Sequence, residues 1–535
     1  MQIRFRMVVD ADLRLDRMTD DSGHTRESVT LNQNGRSASV GTTGHVQTES
    51  AVKLVRNTQK GSNQVKRLNI SLAIAFVALM SNALAQDTVG GFSPAELMKR
   101  TVERRALDAA IWGMPIVSFD VMRQGFFRDA KAHYGDIMYW SKFSTWKNQT
   151  TTPSTSTRYV IFFTNTKDGP VVVDVPAVGD AALSGTLLDA WQVPLVDVGN
   201  TGEDLGNGGK YLLLPPRYKG ETPLGYIAVP SNTYNGIVAL RVISKTEQAD
   251  DVRNAIAYVK QLKTYPLAAA NSPPEQRYID MADTLWDGIV RFDETFYTSL
   301  ARMVNEELAQ ARDLEMLGLL RPLGIVKGKK FKPNAATRAV LKQASNEVHA
   351  WFMERLVNYG QRYWPDRKWD IPVPLIASET GFKWEAADYF DVDARGIGFF
   401  SFYAPPAKPG DSSFYLDAFL DAHGQRLRGE NTYRLHVPPN VPAKQFWAFT
   451  VYDYETSSFI RKSARAGLDS YDEQMKRNSD GSVDLFTGPK PPKGQEANWI
   501  PTVAGKGWFP FFSFYGPDDP LLRKIWKLPD IEKMK

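Results

Sequence analysis

The hydrophobic period of this chain changes twice, and that change constrains its fold more than any single motif. From about 155 to 245 apolar residues recur at every second position in short runs, at 159–163, 169–176, 183–188, 211–214 and 237–243, with Gly, Pro, Asn and Asp between them. From about 248 to 360 the spacing lengthens to three and four, which predicts helices over 251–262, 278–309 and 336–359. A proline-rich stretch at 364–374 marks a boundary, and short β-rich runs return at 398–403, 431–437, 446–453, 482–486 and 508–515. Helices do not alternate with the strands, so packed sheets are predicted and a doubly wound parallel sheet is excluded. One more helix is predicted at the start, over 94–126, with Ser93 as cap, Pro94 in the first turn and Pro115 interrupting the ladder.

The chain thus reads as a mainly β protein with a helical section: a helix and β-sandwich over 95–247, a helical region over 248–362, and a second β region over 363–535, long enough for an eight-strand jelly roll. Its 535 residues, 43% hydrophobic and 23% charged, suit two or three folded domains and exclude global disorder. The 28 Phe, 21 Tyr and 13 Trp point to aromatic cores and aromatic-lined clefts. Cysteine is absent, which removes disulfides, Cys-zinc sites, iron–sulfur clusters and thiol nucleophiles together.

Ahead of the folded part, Lys66-Arg67, the apolar stretch 68–79 and Ala83-Leu84-Ala85 follow the order of a secretory signal peptide over 66–85, with cleavage after Ala85. The stretch falls short of the roughly 18 to 20 apolar residues that span a membrane, and no other segment reaches that length. Residues 1–65 are polar, lack a sustained hydrophobic period, and read as a non-native or disordered extension. A GTG codon at Val65, read as Met, would give a conventional leader. The mature chain is therefore expected to be periplasmic or secreted. Residues 1–85 hold 11 of the 65 basic and 7 of the 60 acidic residues, so the formal net charge of +5 falls to near neutrality without them. With no basic tract interleaved with aromatics, nucleic acid is not an expected partner.

The C-terminal run from Tyr433 to Asn440, then Phe446-Trp447, Val451-Tyr452-Asp453, Asp480 to Asp484, Gly488-Pro489, Asn498 to Pro501 and Gly505 to Trp508 closely resembles the domain-of-unknown-function family numbered 1214. Trp112-Gly113-Met114-Pro115, Asp174-Val175-Pro176, Leu188-Asp189-Ala190-Trp191 and the glycine-rich loop before Tyr211 resemble its usual partner, family 1254. The resemblance implies an immunoglobulin-like sandwich, a helical section and a jelly roll, often in exported bacterial proteins, with a loose label of inositol-polyphosphate phosphatase. It also marks Asp189 as a ligand-binding candidate, and Thr157 and Tyr159 as catalytic candidates in the stretch entering the first strand. Ser154 and Ser156 stand there in place of the family's usual Asn and Asp. A metal or base role for that Asp would be lost or moved here, whereas a strand-turn cap would survive the exchange.

Motif by motif, no Gly-x-Ser-x-Gly elbow or His-Glu-x-x-His occurs, and His133, His349, His423 and His436 lack ligand spacing. No zinc, haem or nucleotide cofactor is implied. The loop 199–209 lacks Gly-Lys-Ser/Thr and leads into a strand, so it reads as a hairpin loop. What remains is oxygen and anion chemistry. Asp388, Asp391 and Asp393 have the donors for Mg²⁺ or Ca²⁺, or form a solvated acidic turn. Arg461 has the planar fork that clamps a phosphate or carboxylate, or belongs to an exposed basic turn. Asp453 shares a strand face with Trp447, Phe449 and Val451, either as a half-buried acid–base carboxylate or as the ion-pair partner of Arg461. Asn498, Trp499 and Lys506 are further ligand-binding candidates. The expected function is hydrolysis of an anionic small molecule, such as a phosphoester, in a cleft between the β domains. Carboxylates and a divalent metal would activate water there. The alternative is a non-catalytic binding protein.

Overall fold

The computed structural model describes residues 14–19, 25–30, 91–179, 182–372, 380–408 and 413–535. Strands β1 (Arg14–Thr19) and β2 (Thr25–Thr30) form an antiparallel hairpin inside the stretch read as an extension. The proposed leader, residues 66–85, lies outside the described residues. Ala95–Lys535 forms one compact unit. Among the described residues no helix is long and apolar enough to cross a membrane.

Helix α1 (Pro94–Asp129) is buried over most of its second half, including two charged side chains. Burying them is tolerable because they are paired: Arg123 meets Asp120 at 2.5 Å and Glu306 at 2.8 Å, and donates to Asn235 at 2.8 Å. After it come β3 (Ile137–Tyr139), β4 (Asn148–Gln149), β5 (Arg158–Asn165), β6 (Val171–Val175), β7 (Ala182–Asp189), β8 (Pro194–Gly199), β9 (Gly209–Leu214), β10 (Tyr226–Pro230) and β11 (Asn235–Ile243). Helix α2 (Ala249–Val259), β12 (Lys263–Pro266), β13 (Tyr278–Asp280) and β14 (Trp286–Asp287) follow. Two sheets result, ordered β13-β3-β5-β11-β7-β8 and β10-β9-β6-β12. Strand alternation sends Val160, Phe162, Leu187, Val238 and Leu240 of the larger sheet into a core shared with Val173 and Leu213 of the smaller one.

Helices α3 (Glu294–Glu306), α4 (Leu314–Leu319) and α5 (Ala335–Leu356) make the helical section. The helix expected over 278–309 starts only at Glu294. Its first part is extended instead: Tyr278 to Asp280 pair in parallel with β3, and the Asp293 carboxylate then caps α3 by accepting from the Thr295 N–H at 2.8 Å. A second correction concerns 398–403, expected as a strand. It lies largely in helix α6 (Val392–Ser401), whose residues Ala394 to Ser401 are all buried. A helix enclosed on every side has no polar stripe, so its sequence reads as a bare apolar run. Packing of α6 also explains why α1 continues through Pro115. Proline offers no N–H to the Ile111 carbonyl, and Gly396 of α6 packs so closely there that a Cβ would lie 2.8 Å from that oxygen. Arg395 Nη2 donates to the neighbouring Trp112 carbonyl at 2.8 Å.

The C-terminal strands are β15 (Gln361–Arg362), β16 (Asp370–Ile371), β17 (Ser413–Asp417), β18 (Tyr433–Val437), β19 (Ala443–Asp453), β20 (Ser458–Phe459), β21 (Gly467–Asp469), β22 (Val483–Gly488), β23 (Trp499–Pro501), β24 (Trp508–Pro517) and β25 (Glu532–Lys533). One sheet runs β15-β16-β17-β24-β19-β20, with β21 also paired to β19, and the other β23-β22-β18-β25. The long strands β19 and β24 are buried on both faces. Trp447, Phe449, Phe512 and Phe514 face a core completed by Leu435, Leu485 and Ile500 of the second sheet. Their opposite faces, with Thr450, Tyr452, Phe511, Ser513 and Tyr515, look toward the N-terminal sheet. The whole is a mixed, strand-rich fold of several sheets with a helical section.

Candidate functional site, a cleft between the two large sheets

A cavity of about 440 Å³ separates the β5-β11-β7 face from the β17-β24-β19 face. Register fixes its N-terminal floor. On β11, Arg241 stands opposite Tyr159 of β5 and Ser184 of β7, and the next row on that face is Ile161, Ala239 and Thr186. The facing wall repeats the pattern, with Ser413 opposite Tyr515 and Tyr415 opposite Ser513. Met122, Trp140, Trp286 and Phe402 complete a lining that is mostly apolar.

Arg241 is the outstanding group. Its guanidinium lies 5.5 Å from the Tyr159 ring centroid, and its Nε is buried with no hydrogen-bond partner. Among the described residues no carboxylate forms an ion pair with it; the oxygens that influence it are phenolic. Burial alone would lower its pKa, but the nearby Tyr415, Tyr159 and Tyr515 oxygens oppose this and the net direction is upward, so the group stays charged. The phenols are themselves held. Tyr159 Oη accepts from the Ser154 N–H at 2.8 Å, Ser413 Oγ donates to Tyr415 Oη at 2.8 Å, and Tyr515 Oη lies 3.3 Å from Ser154 Oγ. Burial pushes the pKa of Tyr515 up, which keeps it a neutral hydroxyl able to donate. Among the described residues the single carboxylate in the lining is Asp197. It already accepts from Thr186 Oγ1 at 2.7 Å and from the Ala407 and Lys408 N–H groups, each at 2.8 Å. A guanidinium without a counter-charge, beside hydroxyls, in an enclosed space is a receptor for an anion.

Of the candidates named from sequence, Tyr159 lies in this cleft. Thr157 is buried just before β5, outside the lining, with Oγ1 unpartnered. Asp189 is enclosed at the end of β7, where it accepts the Trp191 and Val193 N–H groups at 2.8 and 2.9 Å; burial raises its pKa to about 6 despite those bonds. It shapes a turn. Asp453 is on the face of β19 turned away from the cleft, paired with Lys506 at 2.9 Å and not with Arg461, which reaches Asp287 at 2.8 Å. Asn498 braces neighbouring segments, accepting from the Lys476 N–H and donating to the Lys476 and Asp484 carbonyls. Trp499 donates from Nε1 to the Gly488 carbonyl at 2.9 Å. The proposed metal trio does not assemble: Asp391 caps α6, accepting from the Ala394 N–H at 2.8 Å. Among the described residues no three His, Cys, Asp or Glu side chains gather as a metal site, which corrects the reading of Asp388, Asp391 and Asp393. Arg241 itself was missed, although it is the lone charge inside the apolar run 237–243.

A crystal structure of the VPA0106 protein from Vibrio parahaemolyticus matches with a TM-score of 0.48 at 17% identity, covering 81% of this chain and 100% of that one. An uncharacterised protein from Burkholderia cenocepacia matches with a TM-score of 0.35 at 12% identity, covering 82% of this chain and 94% of that one. No curated protein matches the chain. Residues 135–266 match the family described as Protein of unknown function (DUF1254), and residues 412–519 that described as Protein of unknown function (DUF1214). Arg241 lies in the first matched region and Tyr415 and Tyr515 in the second, and the chain carries the DUF1254 and DUF1214 regions in that order from N- to C-terminus.

Proposed function

We propose that this protein binds a small anionic molecule in the cleft between its two large sheets, with Arg241 as the anchoring cation. The observation that carries the reading is a charged, enclosed guanidinium with no carboxylate partner among the described residues, at the floor of a cavity of about 440 Å³. Charge-assisted hydrogen bonds contribute about 1.5–3 kcal/mol each, so Arg241→Met should weaken anion binding about 10- to 100-fold. Isothermal titration calorimetry with a panel of carboxylates and phosphates measures this, and thermal melting checks that the variant is folded. Binding unaffected by the substitution would reject the reading.

Hydrolysis of an anionic ester, including a phosphoester such as an inositol polyphosphate, is the second reading. It draws on the Ser154 hydroxyl, which lines the same cleft 3.3 Å from Tyr515 Oη. A screen of phosphoesters and carboxylic esters, with and without divalent cations, tests it; absence of turnover in every condition removes it. Export belongs to the same proposal, on the strength of the 66–85 leader pattern. N-terminal sequencing of the mature protein should begin near Gln86, and a chain beginning near Met1 would contradict export.

A further inference from the structure

We infer that the ligand of this cleft is a monoanionic amphipath, a carboxylic acid with an apolar or aromatic body, and not a polyanion; the inference rests on the anion reading above. Charge is the first ground. Among the described residues, Arg241 and Lys408 are the only cationic side chains in the lining, and Lys408 is exposed to solvent. One carboxylate neutralises the enclosed Arg241. A ligand with several phosphates would bring negative charges that no second buried cation meets, and charge left uncompensated against a mostly apolar lining is costly.

Surface chemistry is the second ground. Beyond Arg241 the floor continues as Ile161 and Ala239, and Met122, Trp140 and Trp286 also line the cavity. A fully hydrated anion gains nothing from such a surface. An apolar body does, at about 25 cal/mol for each Å² removed from water. The cavity, about 440 Å³, lies within the range of roughly 300–1,000 Å³ usual for small-molecule sites. Head and body are thus both provided for: a guanidinium flanked by the Tyr159 and Tyr515 hydroxyls for the carboxylate, and an aliphatic and aromatic surface for the rest.

The test uses the full chain and four probes in calorimetry: acetate as head alone, benzyl alcohol as body alone, 3-phenylpropionate as both, and inositol hexakisphosphate as polyanion. Phenylpropionate should bind at least tenfold more tightly than acetate, benzyl alcohol or the polyphosphate. Arg241→Met should reduce phenylpropionate to the level of benzyl alcohol, and Arg241→Lys should restore part of the loss. Ala239→Leu, which thickens the floor beside Arg241, should weaken phenylpropionate and spare acetate, with melting temperature as the control for folding. If the polyphosphate binds more tightly than phenylpropionate, or acetate equals it, the amphipath is rejected while the anion reading stands. If no anion binds, both are rejected.

Discussion

Arg241 shows how one side chain sets the chemistry of a surface that is otherwise hydrophobic. Its signal was present in the sequence, since an arginine between Leu240 and Val242 in an apolar strand has to find either a partner or a cavity. The cavity itself was not legible, because its far wall is built from residues some 170 to 275 positions away in the chain. Asp453 shows the converse. Alternation correctly grouped it with Trp447, Phe449 and Val451, but both faces of β19 are buried, and the period cannot tell the core face from the cleft face. Asp453→Asn should accordingly leave ligand affinity within about twofold of the parent and cost about 0.5–1 kcal/mol of stability through its partly exposed partner Lys506, read by calorimetry and chemical denaturation. A different pair of carboxylates contributes to the pH dependence of stability. Asp370 and Asp417 stand opposite each other across β16 and β17, with Arg362 at 3.1 Å from Asp370. Burial raises Asp370 to about 6 against the pull of Arg362, and burial together with the Asp370 charge raises Asp417 well above the ordinary carboxylate range. Raised folded-state values mean that the native state holds these protons more tightly than the unfolded chain. Their contribution to stability is present in full below about pH 4; the share of Asp370 is lost as the pH rises through about 6, and that of Asp417 as the pH rises through its own raised value. Asp417→Asn should therefore raise the melting temperature at pH 8 and flatten the decline above about pH 4 in a series of thermal melts.

At the scale of elements, the strands were the legible part. Runs such as 159–163 and 237–243 lie within β5 and β11 because one face of each meets the smaller sheet and the turns between strands are rich in Gly and Pro. Helix α6 was not legible, since complete burial removes the polar stripe on which a helical assignment depends. The same burial makes α6 intolerant of added bulk. At Gly396 a Cβ would meet the Ile111 carbonyl oxygen at 2.8 Å, backbone against side chain with little room to yield. Gly396→Ala should destabilise the protein by about 1–3 kcal/mol in urea denaturation, and a neutral result would show that the α1–α6 joint is looser than its geometry. The continuation of α1 through Pro115 belongs to this joint: local sequence favoured a break, and tertiary packing overrode it.

At the scale of the whole molecule, the two family-matched regions share part of their interior, although the C-terminal sheets also enclose a core of their own around Trp447, Phe449 and Phe512. One continuous core holds Ala106 of α1, Val160 of β5, Leu300 of α3, Phe352 of α5, Phe399 of α6 and Phe509 of β24. A single cooperative transition is therefore expected for residues 95–535 in calorimetry, while a fragment ending near 270 should show none, having lost the surface that covers its sheet. Two well-separated transitions in the intact chain would contradict this. The cleft adds a thermodynamic consequence. Its cation Arg241 comes from one half and the phenols of Tyr415 and Tyr515 from the other, so a molecule bound to them is gripped by both at once. Ligand affinity and the docking of the halves then draw on the same free energy. At a hundred times its dissociation constant, a ligand specific to the assembled protein would add about 2.7 kcal/mol to that docking. A mutation that loosens the joint far from Arg241 would be felt first as weaker binding, and ligand scarcity would be felt as a softer protein.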